Sequence, residues 1–258
     1  MKLQLLPTTF DQNGQATQQQ HLCCFVVNDK VAIDAGSLAM ATNEVQKKQI
    51  RDIILTHAHL DHIAGLPLFI DDLFATLKTP IRIHATQEVI EALESNIFNW
   101  IIYPRFSELK NENGEVIQYK PFQVSEKVQI GDLTIKSIEV NHKVPTVGVI
   151  VSDNKSKIVF SSDTSEMDSF WEIINQEDNL DALLIECAFP DELEDLAYSS
   201  HHLTPKVLNI ELSKFKHPDC PVFVVNIKPM YRERIIEQLQ ALKLPKLEIF
   251  ELGKVYEF

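Results

Sequence analysis

The chain has 258 residues, 45% of them hydrophobic and 24% charged, the proportions of an ordinary globular protein. No apolar run approaches the roughly 18 to 20 residues that a membrane-crossing helix requires. A formal net charge of −13 repels polyanions such as RNA or DNA at long range and leaves small anions less affected, so no nucleic-acid polymer and no membrane is expected as partner.

Strands are expected at 2–6, 22–27 and 31–34, a helix at 44–50, a strand at 53–55, a helix at 61–77 and a strand at 81–84. The segment from about 86 to 122 opens with a helix at 87–100 and carries the dense apolar run Ile97 to Phe106, which serves as a lid or homodimer surface or fills the core under a helix. Strands follow at 128–130, 133–140, 147–151 and 157–160, then a helix at 165–176, a strand at 182–186 and a helix at 205–215. Thr204 supplies the N-cap of that helix and Pro205 its first position. The chain closes with a strand at 222–225, a helix at 231–241 and a strand at 247–251. The whole reads as one domain, 1–258, with a helical, aromatic-rich insertion at about 86–122.

Four cysteines, Cys23, Cys24, Cys187 and Cys220, lack the spacing of a structural zinc site and read as small buried apolar side chains with free thiols. The amino terminus has one charge and no sustained apolar segment, which points to cytoplasmic residence.

The chemistry concentrates in Thr56-His57-Ala58-His59-Leu60-Asp61-His62, directly after an apolar strand and ahead of a helix. Side chains two apart on such a turn can aim at a common point, so His57 and His59 suit one cation, while Asp61 and His62 are placed to reach a second. Imidazole nitrogen with carboxylate oxygen favours zinc, manganese or iron over calcium or magnesium. The bland alternative is a solvated turn rich in histidine.

At these residues the chain resembles the metallo-β-lactamase superfamily, whose signature is H-x-H-x-D-H after a strand. The resemblance implies an α/β fold, a four-layer αββα sandwich, with two further ligands from later strand ends. His142 and Asp163 match them, Asp163 as the bridge between two ions. Asp34, in Val31-Ala32-Ile33-Asp34-Ala35-Gly36, would orient a ligand rather than bind metal. Two divalent ions, zinc foremost, would make a hydroxide available near neutral pH and offset charge on a phosphoryl oxygen.

The tract Ser199-Ser200-His201-His202-Leu203-Thr204-Pro205 is similar to the H-x-T motif of the superfamily's phosphodiesterases. It implies His202 as general acid, oriented by Glu186, with Asp61 also in the catalytic set; His201 reads as an adjacent exposed residue that could replace His202. Together with the Ile97-to-Phe106 segment and Val225-Asn226-Ile227-Lys228-Pro229, these pieces most resemble the class II 3′,5′-cyclic nucleotide phosphodiesterases. That class implies attack of a metal-bound hydroxide on a small anionic nucleotide, cyclic AMP, giving the 5′-monophosphate. Asn226 departs from the class, which has histidine there. Because an amide oxygen is the weaker ligand, the Asp61/His62 site is expected to hold its ion less tightly. The alternatives are an endonuclease like the tRNA 3′-processing enzymes, and a degenerate nucleotide-binding protein without turnover.

Overall fold

Short β-branched runs with buried side chains pair into sheets, and the stretches between them cover the sheets as helices. A computed structural model describes all of residues 1–258 and divides into two compact units, Met1–Gln123 with Leu252–Glu257, and Val124–Glu251 with Phe258. No helix is long and apolar enough to cross a membrane.

The first unit runs β1 (Lys2–Leu5), β2 (Phe25–Val27), β3 (Val31–Ile33), α1 (Leu38–Ala41), α2 (Glu44–Gln49), β4 (Asp52–Ile54), α3 (Leu60–Ile63), α4 (Leu66–Leu73), β5 (Ile81–Ala85), α5 (Gln87–Asn96), a small hairpin of β6 (Lys110–Asn111) and β7 (Gly114–Glu115), and β8 (Ile117–Pro121). Its seven-stranded sheet has the order Val255–Glu257, β1, β2, β3, β4, β5, β8. The strands from β3 onward run parallel, and Ile33 sits opposite Ile54, so Asp34 and Thr56 emerge at the same edge. Leu38, Phe69, Ile70, Val89 and Leu93 of the helices pack against Ile53, Ile81 and Ile83.

The second unit holds β9 (Lys127–Ile130), β10 (Leu133–Glu139), β11 (Val147–Ser152), β12 (Lys157–Phe160), α6 (Asp168–Ile174), β13 (Ala182–Glu186), α7 (Glu194–Ser200), α8 (Pro205–Leu212), β14 (Val222–Val225), α9 (Arg232–Ala241) and β15 (Leu247–Ile249). The sheet order is β15, β14, β13, β12, β11, β10, β9; the first four are parallel to one another and the rest alternate. β10, β12, β13 and β14 therefore all end at one edge, where Glu186 closes β13 and His142, Asp163 and Asn226 follow the other three. Phe170, Trp171, Leu208, Ile235 and Leu239 cover the sheet, and the buried Glu211 joins α8 to α6 by accepting from Trp171 Nε1 at 2.6 Å.

Several expectations change. The helix expected at 61–77 is two helices, α3 and α4. Gly65 separates them because its backbone lies against the Ala35–Gly36 turn: its N–H donates to the Ala35 carbonyl, and a Cβ there would sit 2.7 Å from that oxygen. The strand expected from residue 22 begins only at Phe25, since the Cys23 N–H is spent on the Asp61 carbonyl rather than on a ladder. The strands β8 and Val255–Glu257, and the helices α1 and α7, were not expected; the two strands are edge strands with largely exposed polar positions, which blurs their period. The run from Ile97 splits, with Phe98 and Phe106 buried in the core and Trp100, Ile101 and Ile102 exposed. All four cysteines are free and buried.

Candidate functional site

In the first unit the motif forms a tight knot. Thr56 and His57 follow β4, His59 caps the start of α3, and Asp61 and His62 lie on its first turn. The ring centroids of His57 and His62 are 4.1 Å apart and those of His57 and His59 4.8 Å apart. The carbonyls of Asp61 and His62 accept from Cys23 N–H and Ala35 N–H, and Gly36 N–H reaches the Cys23 carbonyl, so the loops behind the motif are laced together by backbone alone. Gly36 is required there: a Cβ would stand 1.9 Å from the Asp61 carbonyl oxygen.

Asp34 sits behind this knot at φ 59°, a left-handed conformation that Asp tolerates better than most residues. Its Oδ2 takes the His62 Nδ1 hydrogen at 2.7 Å, and its Oδ1 accepts from Thr56 N and Thr56 Oγ1. Thr56 Oγ1 in turn lies 3.0 Å from His57 Nδ1. Because the hydroxyl hydrogen goes to the carboxylate, the oxygen accepts from the ring, and both imidazoles are set with their hydrogen on Nδ1. Each then presents Nε2 as a ligand atom, the usual arrangement of a metal-binding imidazole held by an outer partner. One carboxylate thus sets the tautomer of two histidines. No pattern in the sequence singles out the threonine that links it to His57.

In the second unit, His142 Nδ1 lies 3.0 Å from the His201 carbonyl, which fixes the same tautomer. His201 contributes that carbonyl from a left-handed C-cap at φ 56°, while its ring pairs with Asn141. Expected to be exposed, His201 is half-buried, and its carbonyl holds the His142 ring. Asp163, buried beyond β12, accepts from Asn226 Nδ2 at 2.7 Å.

His202 and Glu186 form a buried pair, Nδ1 to Oε1 at 2.6 Å, and Thr204 caps α8 as expected. Glu186 also accepts backbone N–H groups from Thr164, Ala188 and Leu203. Its lone-pair directions are thereby occupied by the protein's own donors. Burial pushes the Glu186 carboxyl above its usual range, against the pull of His202. Burial likewise disfavours the His202 cation, but the charge and hydrogen bond of Glu186, helped by Asp163, outweigh it and the imidazole titrates above its ordinary value.

The structure therefore gathers Asp34, His57, His59, Asp61 and His62 at one edge of the first unit, and His142, Asp163, Glu186, His202 and Asn226 at one edge of the second. His84, not expected as a ligand, is buried against Asp52 at 2.8 Å, at the opposite end of β4 from His57. Imidazoles that present Nε2 and buried carboxylates, found at the edge of each unit, are donor types that suit a divalent transition metal.

A sequence model of the beta-lactamase superfamily domain matches residues 30–211. A probable 3′,5′-cyclic-nucleotide phosphodiesterase of Yersinia pestis is 25% identical over 225 residues, 75% of this chain and 63% of that protein. A chloroplastic tRNase Z of Arabidopsis thaliana is 24% identical over 143 residues, 54% of this chain and 36% of that protein. The chain thus spans less than two thirds of the length of either relative. Among solved structures, the metallo-beta-lactamase fold protein YhfI of Bacillus subtilis matches with a TM-score of 0.75 and 18% identity, over 100% of this chain and 99% of the other. The fold is the α/β fold of the metallo-β-lactamase type, and the chain belongs to the beta-lactamase superfamily.

Proposed function

We propose that the protein is a metal-dependent phosphodiester hydrolase acting on a small 3′,5′-cyclic nucleotide, with cyclic AMP the preferred candidate. The observation that carries this reading is the buried Glu186–His202 pair, because a leaving alkoxide needs a proton donor and ester hydrolases with better leaving groups do not. The phosphodiesterase relative supports the substrate class.

In this reading the metal ligands are His57, His59, Asp61 and His62 of the first unit and His142 and Asp163 of the second, for two divalent ions, zinc or alternatively manganese or iron, the second bound more weakly. When bound, such ions acidify a water molecule and offset the charge that builds on phosphoryl oxygens. Asp34 and Thr56 keep Nε2 of His62 and His57 turned outward as ligand atoms. Water adds to phosphorus and gives up one proton to solvent, the P–O3′ bond breaks, and His202 Nε2 passes its proton to the departing 3′ oxygen while Glu186 holds the ring; solvent then returns a proton to His202. The product is the 5′-monophosphate.

The tRNase Z match supports a second reading, an RNA endonuclease using the same donor set. The net charge of −13 weighs against it. A panel of cyclic AMP, cyclic GMP and a precursor tRNA separates the two. Hydrolysis of a cyclic nucleotide with none of the tRNA is the expected result; cleavage of the tRNA alone overturns the assignment.

A further inference from the structure

We propose that Asn226 is a positioning residue that sets the metal stoichiometry: its amide occupies one oxygen of Asp163, so that the protein holds one divalent ion tightly and a second at least tenfold more weakly. The inference rests on the metal-dependent reading above. Asn226 follows β14 at φ 56°, is 7% exposed, and donates from Nδ2 to Asp163 Oδ1 at 2.7 Å. Both residues are fixed by the main chain: β13 lies between β12 and β14, and the Cys187 N–H donates to the Val225 carbonyl just before Asn226. The contact therefore joins two positions whose backbones the sheet edge holds.

A carboxylate that serves two cations must offer electron density in two directions. An amide hydrogen aimed at Oδ1 takes one of its lone-pair directions and places partial positive charge where another cation would approach. Inside a buried site this repulsion is poorly screened. The contact goes beyond Asn226 being a poor ligand: with its nitrogen turned to Asp163, the side chain acts as a donor, and a donor opposes a cation on that oxygen.

The residue choice also fits the backbone. Asn, Asp and His are the side chains that best tolerate a left-handed conformation, so Asn226→Asp and Asn226→His test the amide without straining the turn. In Asn226→Asp the donor is lost and a second carboxylate faces Asp163 at hydrogen-bond distance, an arrangement that a shared cation stabilises.

The test is a metal titration of the full-length wild-type protein and both variants after chelator stripping, read by elemental analysis at equilibrium and by the manganese electron paramagnetic resonance spectrum, which reports spin coupling between paired ions. The expected result is one tight ion per wild-type chain with an uncoupled spectrum. Asn226→Asp should bind a second ion at least tenfold more tightly than wild type does, about 1.4 kcal/mol, with a coupled spectrum. Asn226→His should move the same way if Asn226→Asp fails to fold. Two comparably tight ions in the wild type would overturn the role of Asn226 and leave the metal-dependent reading standing. A folded variant that still takes one ion would also overturn it. No ion at all on folded wild-type protein would overturn both.

Discussion

At the scale of single residues, the ligand atoms are set by what lies behind them. His57 and His62 depend on one carboxylate, His142 on one carbonyl and His202 on one glutamate. Thr56 is the thinnest link, a single hydroxyl carrying the orientation of Asp34 to His57. Thr56→Val keeps the volume and removes the hydroxyl, and is expected to lower metal affinity about 10- to 100-fold with little change in fold, measured by competition with a chelating dye. Unchanged affinity would show that the relay has no part in metal binding. The imidazoles themselves were legible in the sequence, because histidines crowded after an apolar strand have few structural uses. The groups that set their tautomers were only partly legible: Asp34 follows its own strand, but Thr56 has no pattern of its own, and a backbone carbonyl such as that of His201 is invisible to residue identity.

At the scale of elements, the site edges are built by strand ends and by turns whose backbones nearly touch. Gly36 shows how closely. Its N–H bonds to Cys23, and any Cβ would collide with the Asp61 carbonyl. Gly36→Ala is expected to cost about 3 kcal/mol, the upper range for overpacking, with the loss seen as a lower thermal midpoint and as loss of metal binding by the displaced motif loop. A variant with wild-type stability would contradict the close approach. The strands β12, β13 and β14 were legible almost to the residue, since parallel strands buried at all positions but Lys157 read as nearly continuous apolar runs. β8 was not, because an edge strand carrying Gln118, Lys120 and Pro121 has neither a clean period nor an apolar run. The helix expected at 61–77 was read too long because its apolar period continues through Gly65, and only the tertiary approach of the Ala35–Gly36 turn breaks it.

For the molecule as a whole, a stabilising cluster lies at the end of the first sheet opposite the candidate site residues. Asp52 starts β4, the end remote from His57, and accepts from Arg82 Nε and from His84 Nε2. Burial alone would raise its pKa, but the hydrogen bonds and charges of His84 and Arg82 outweigh it and hold the carboxyl below its usual range. A depressed folded-state value stabilises the protein above the unfolded-state pKa, and that contribution is lost as pH falls through the lower, folded-state value. Asp52→Asn should therefore lose about 1 to 3 kcal/mol at pH 7, a difference from wild type that closes below about pH 4. A stability gap that persists in acid would refute this linkage. The family and the fold were legible from one seven-residue run and its later partners, while the division into two sheet-bearing units was not, because no composition shift or Gly-rich linker marks residue 124.

The central claim is that His202 delivers the proton to a leaving alkoxide while the metal ligands lie elsewhere. Cyclic AMP turnover by His202→Ala and wild-type protein at matched, measured metal content tests it most directly. The account predicts equal metal content and a rate lower by about 10² to 10⁴ in the variant; an undiminished rate, or absence of turnover in the metal-loaded wild type, would contradict it.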